Sequence, residues 1–222
     1  MTTTDRPPLS IRVTKSLLGY GVIAGPIYVV AVAFQMIIRD GFDPTRHAAS
    51  QLANGDLGWI QIATFLLSGA MTVAAAVGVQ RAIGPCRLSA WASGLLGAYG
   101  VALIAAGIFR ADPSDGFPPG TPAGMGEVSW HGLTHLAVAS VGFLCLVVAC
   151  FVLAAWFART GQASWAWFSR ITGVLFGASF VALASGTGAA ATILAFTAAV
   201  VLVWAWLSAV SVHLYRRTGA AA

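Results

Sequence analysis

The chain has 222 residues, 58% of them hydrophobic and only 9% charged, with a mean hydropathy of +0.83. A water-soluble domain of this size carries about 25% charge, so the composition excludes a soluble globular protein and assigns the chain to lipid. The formal net charge of +5 does not indicate a nucleic-acid partner, because the basic residues gather at the ends of apolar runs instead of forming a patch with interleaved aromatics.

Residues 1–15 are polar, basic and proline-containing, the composition of a disordered tail. The apolar run that follows, at about 16–38, is too long for a signal-peptide core, and no small-residue cleavage site follows it. At 1.5 Å per residue roughly 20 residues cross the hydrocarbon, and that ruler marks further spans at about 57–83, 88–109, 131–157, 165–185 and 189–215, with 218–222 a short second tail. Small residues recur within them, as at Gly94, Gly97 and Gly100 or Gly173 and Gly177, which lets helices approach closely. The intramembrane amides Gln35 and Gln61 are expected to link helices. Trp59, Trp130, Trp165, Trp167 and Tyr215 lie at span ends, where amphipathic rings anchor in the headgroup layer. Cys86, Cys145 and Cys150 form no C-x-x-C and read as spectators.

Two loops are long, 39–56 and 110–130; the third on that side, 186–188, is a bare turn, and the turns on the opposite side are short. With the N-terminus inside, nine basic residues (Arg6, Arg12, Lys15, Arg81, Arg87, Arg159, Arg170, Arg216, Arg217) fall inside and three (Arg39, Arg46, Arg110) outside. The bias predicts both termini in the cytoplasm. The fold class is therefore an all-α, six-helix transmembrane bundle forming one domain over 16–217. It would sit in the plasma membrane with two structured extracytoplasmic loops.

Those loops hold six of the seven acids and most of the candidate chemistry. His131 and His135 open the fourth span with the i, i+4 spacing that puts two side chains on one helix face. This is the helical half of a metal site, and His47 is the natural third ligand for a zinc ion. Asp112 offers a base for a metal-bound water, and Asp56, Asp115 and Glu127 are further carboxylates. The bland alternative has these histidines bonded to carboxylates and backbone carbonyls, folding the loops into a lid. Arg110 and Asp112 close the third span, where Pro113 disfavours helix at Asp112. Arg46 and Arg110 either pair with acids such as Asp56 or clamp a lipid phosphate, with Trp130 beside them at the boundary. Ser50 and Ser129 lie near the histidines as candidate nucleophiles, Ser50 with Asp112 forming the candidate catalytic pair, although no G-x-S-x-G elbow surrounds either serine. His213 is placed at the other end of the bundle as an interfacial residue.

The blocks R-H-A-A-S-Q-L-A-N-G-D-L-G-W-I-Q (46–61), G-I-F-R-A-D-P-S-D-G-F-P-P-G-T-P (107–122) and S-W-H-G-L-T-H (129–135) resemble the family catalogued as domain of unknown function 998, six-span membrane proteins of bacteria and archaea. The resemblance covers almost the whole chain; it implies the fold and a membrane location, and no activity. A fainter similarity, in residue types alone, is to the alkaline ceramidase and adiponectin receptor superfamily, which uses Ser, His, Asp and a terminal H-x-x-x-H around zinc. Here His47, Ser50, Asp112, His131 and His135 stand in a similar order. This chain has six spans instead of seven, and its Ser follows the His.

Three functions from different classes follow. The first is a non-enzymatic membrane module whose outer loops bind a lipid headgroup or a partner. The second is a zinc-dependent intramembrane lipid hydrolase built on His47, His131, His135 and an outer carboxylate. The third is a small transporter, disfavoured because no ionisable residue lies near mid-span.

Overall fold

In lipid every backbone amide must find its partner within the segment, so apolar runs of this length close into helices. The computed structural model describes residues 8–124, 126–186 and 188–219. It holds six long helices: α1 (Leu9–Ile38), α2 (Gly58–Ile83), α3 (Arg87–Ile108), α4 (Trp130–Arg159), α5 (Ala163–Ala184) and α6 (Ala190–Arg217). All six are long and apolar enough to cross a bilayer. One 3₁₀ turn, Ala49–Ala53, lies in the loop between α1 and α2.

The helix ends fall within a few residues of the expected spans, except at the start. Residues 9–15, expected in the tail, are already helical. Thr14 on this extension accepts from Arg81 Nε of α2 at 3.1 Å, and Lys15 lies over the Tyr215 ring of α6. Residues 1–7 and 220–222 lie outside the described residues. Cys86, read as a spectator, caps α3: its sulfur accepts from Ser89 N–H while Ser89 Oγ accepts from its own N–H. That amide draws the thiol below its ordinary pKa.

Each helix packs on the next in sequence, and α1 also packs on α6, which closes the ring. Large apolar side chains face outward, including Ile37, Val30 and Phe34 of α1. Inside are Gln35, Gln61, Ser68, Thr72, Ser169, Thr172 and Ser211. These polar groups sit within a largely apolar core, and the greasy exterior suits a hydrocarbon solvent. Side-chain bonds also cross helix pairs deep in the bundle. Gln35 Nε2 donates to Gln61 Oε1 at 2.8 Å, and Trp206 Nε1 donates to Ser169 Oγ at 2.9 Å.

Glycines set the closest approaches. A Cβ on Gly69 of α2 would lie 2.6 Å from the Gly100 carbonyl oxygen of α3, and one on Gly100 would lie 2.7 Å from that of Gly69. On the other side of α1, Gly21 faces Ser211 of α6 and Ala75 of α2, and Gly25 faces the Trp204 carbonyl. These contacts draw α1, α2 and α6 together near the middle of the bundle. Gly94 and Gly97, singled out with Gly100 by spacing, meet nothing within 4 Å. Gly100→Val should therefore lower stability by about 1–3 kcal/mol through overpacking, and Gly97→Val should leave it unchanged. Thermal unfolding of both variants in the same detergent measures the contrast.

Candidate functional site

Arg39 follows α1 and turns its side chain back into the first long loop. The guanidinium donates to the carbonyls of Leu52 (3.0 Å) and Asn54, and the Phe117 ring covers it at 5.1 Å. It is 8% exposed, and the loss of water pulls its pKa below the ordinary guanidinium value, partly offset by Asp56. A buried cation is tolerable when its donors are spent on carbonyls, and here they hold the end of the 3₁₀ turn. Nearby, Asp43 Oδ1 accepts from the amide (2.8 Å) and hydroxyl (2.6 Å) of Thr45. Those bonds hold its carboxyl below the usual carboxylate range.

The second loop folds on itself before it meets the first. Asp115 N–H donates to Gly124 O (2.9 Å), Gly116 N–H to Pro122 O (3.2 Å) and Phe117 N–H to Ser114 O (3.0 Å). Asp115 takes a φ of 55°, a left-handed conformation that Asp tolerates better than most residues. The fold thrusts Phe117 into the first loop, where it is fully buried. Its ring meets Phe42 edge-on at 5.2 Å and His47 at 5.4 Å. Burying a phenylalanine contributes about 1.5–3 kcal/mol. Two polar bonds flank it: Gln51 Nε2 donates to Ser114 Oγ at 2.6 Å, and His47 Nε2 donates to Asp115 O at 3.1 Å. His47 Nδ1 accepts from Asp43 N–H at 2.9 Å. This network assigns the neutral Nε2–H tautomer.

A second clasp joins the end of α3 to the start of α4. Asp112 accepts from the amide of Ser129 at 2.8 Å and from its hydroxyl, and Ser129 Oγ accepts from Gly132 N–H at 3.0 Å. A carboxylate and a hydroxyl thus serve the orphan donors and positive pole of α4. A Cβ on Gly132 would lie 1.9 Å from Asp112 Oδ2, so only glycine fits. One turn on, buried His135 donates from Nδ1 to the carbonyls of Phe109 (2.8 Å) and Ala106 (3.2 Å). Those are orphan acceptors at the end of α3.

Beneath these clasps lies a cavity of about 410 Å³, lined by side chains of all six helices and roofed by both loops. Its walls are apolar: Val32, Met36, Phe65, Leu103, Phe143 and Phe196 among others. Its polar side chains sit mainly at the roof, namely Ser50, Gln51, Asp112, Ser114, Glu127 and His135. Ala33 of α1, Leu136 of α4 and Val201 of α6 line it and are also exposed, so it is a cleft with an open wall and not a sealed void.

The cavity brings together Ser50, Asp112 and His135 of the expected site. No hydrogen bond joins Ser50 to His135, and Asp112 is bound to Ser129 instead of the imidazole. His47 stands apart in the loop interface with both nitrogens engaged. His131 turns its ring to Trp130 (3.8 Å) and Phe109 (5.7 Å). Among the described residues no three His, Cys, Asp or Glu side chains are placed to hold a metal ion, so the three-histidine zinc centre has no fit in this geometry. Among the same residues no ion pair joins Arg110 to Asp112, while the charge of Arg46 acts on Asp43 and helps to lower its carboxyl pKa. Arg46, Arg110 and Trp130 are exposed, Asp56 faces solvent near Arg39, and none of the four lines the cavity. Sequence reading missed Phe117, Gln51, Ser114 and the loop role of Arg39; the only local signal was an apolar residue stranded in a polar Gly/Pro loop.

A family model described as protein of unknown function (DUF998) matches residues 22–213. No curated protein and no solved structure matches the chain. The chain belongs to the DUF998 family, and it is a multi-pass membrane protein.

His47→Ala should remove two hydrogen bonds and two ring contacts, to Phe42 and Phe117, from the loops. Hydrogen exchange is expected to rise in both loops, around Asp43 and around Asp115. The zinc content of protein purified with excess zinc should match the wild type. Loss of zinc with unchanged loop exchange would restore the metal reading.

Proposed function

We propose that this DUF998 member binds a membrane amphiphile, with the apolar tail between the six helices and the polar head under the two loops. The observation that supports this most is the cavity itself, whose lower walls are apolar and whose polar groups collect at the roof. Ligand sites commonly occupy about 300–1,000 Å³, mostly apolar with a few converging polar groups. The open wall at Ala33, Leu136 and Val201 suits a ligand that arrives from the bilayer. The reading keeps the lipid-headgroup module of the sequence analysis and moves its binding groups from Arg46 and Arg110 to the cavity roof. The hydrolase alternative gains nothing from this geometry, since its ligand set does not fit and Ser50 has no base bonded to it. The transporter alternative has no ionisable path to follow.

The orientation proposed from arginine placement puts the loops and the cavity roof on the extracytoplasmic side of the plasma membrane. A reporter fused after residue 222 should then be reachable only from the cytoplasm, and labelling it on intact cells would reverse the orientation.

Ala139 lines the cavity, and Ala139→Trp should fill it. Native mass spectrometry of protein released from its membrane should show a retained lipid in the wild type and its loss in this variant. Val174→Trp, on the lipid-facing side of α5, should keep it. Wild-type protein that retains no lipid, or all three proteins retaining it alike, would refute the cavity as a binding site.

A further inference from the structure

Resting on that reading, we infer that the roof holds its ligand's head by accepting hydrogen bonds, and so selects an amine or hydroxyl head over a phosphate. His135 is the central group. It is 4% exposed and lines the cavity. Its Nδ1 donates to the carbonyls of Ala106 and Phe109, and no described group bonds to Nε2, which is the uncommitted nitrogen of the ring.

The neighbouring groups have the same character. The Glu127 carboxylate lines the cavity without a hydrogen bond or ion pair to any described residue, and the Ser50 hydroxyl is likewise free among the described residues. Asp112 adds a second carboxylate, engaged by Ser129. Among the described residues no Arg or Lys lines the cavity. Arg39, the nearest candidate on the loops, has given its guanidinium to the Leu52 and Asn54 carbonyls. A phosphate needs cationic or clustered amide donors. Here it would meet the carboxylates of Asp112 and Glu127, and an unpaired charge in such a site is costly. An ammonium or hydroxyl supplies the donors this roof lacks.

The test uses full-length protein in nanodiscs doped separately with hexadecylamine, hexadecanol and hexadecyl phosphate, with bound probe counted by native mass spectrometry. Amine and alcohol should be retained at least about tenfold better than phosphate. Glu127→Gln, at an exposed rim position, should weaken the amine about twofold to fivefold, the range of a surface charge pair, and the alcohol less. Ala139→Trp should abolish retention of both. Phosphate retained as well as the amine or alcohol, with loss in Ala139→Trp, would overturn the head-group assignment and leave the cavity standing. Retention of all three probes equal in wild type and Ala139→Trp, or of none, would overturn both.

Discussion

The burial of one phenylalanine side chain organises the functional half of this molecule. Phe117 leaves a loop between α3 and α4, fills a slot formed by Arg39, Phe42 and His47 of the loop between α1 and α2, and excludes water from both. The polar bonds around it, Gln51 to Ser114 and His47 to Asp115, are the ones a dry interface requires, since buried donors and acceptors left unmade are costly. Two loops that would otherwise be independent become one roof, which places Ser50, Gln51, Ser114 and Glu127 over the cleft between the helices.

The second constraint acts within the ring of helices. Gly21 and Gly25 let α1 close on α6, and Gly69 with Gly100 lets α2 close on α3. Without a hydrophobic driving force between helices in lipid, close backbone approach is a principal source of association. The cleft itself is lined by small residues as well as large ones, Ala102, Ala106, Ala139 and Gly142 among them.

The helices were legible in the sequence because apolar length is a one-dimensional property. Gly58–Ile83 and Arg87–Ile108 differ from the expected spans by one residue at an end. The early start of α1 at Leu9 was not, since its reasons are Arg81 and Tyr215 on other helices. The loops were legible in composition and illegible in pairing. The i, i+4 spacing of His131 and His135 suggested a shared ligand, yet Ala106 and Phe109 draw one imidazole into the α3 end while Trp130 stacks the other. Nothing local in G-F-P-P announces that Phe117 belongs with Arg39, because that contact spans two helices. The recognised blocks D-P and H-G-x-x-H have a structural explanation: Asp112, Gly132 and His135 form the clasp between α3 and α4.

The union of the two loops is the claim on which the roof, the cleft and the ligand reading all depend. It is tested most directly by pulsed electron spin resonance in nanodiscs, with nitroxides at Arg46→Cys and Ala123→Cys, both exposed loop positions, in a chain whose native cysteines are replaced. The account predicts a single narrow distance distribution that broadens when Phe117→Ala is added. A broad distribution before that change, or one unaffected by it, would contradict the account.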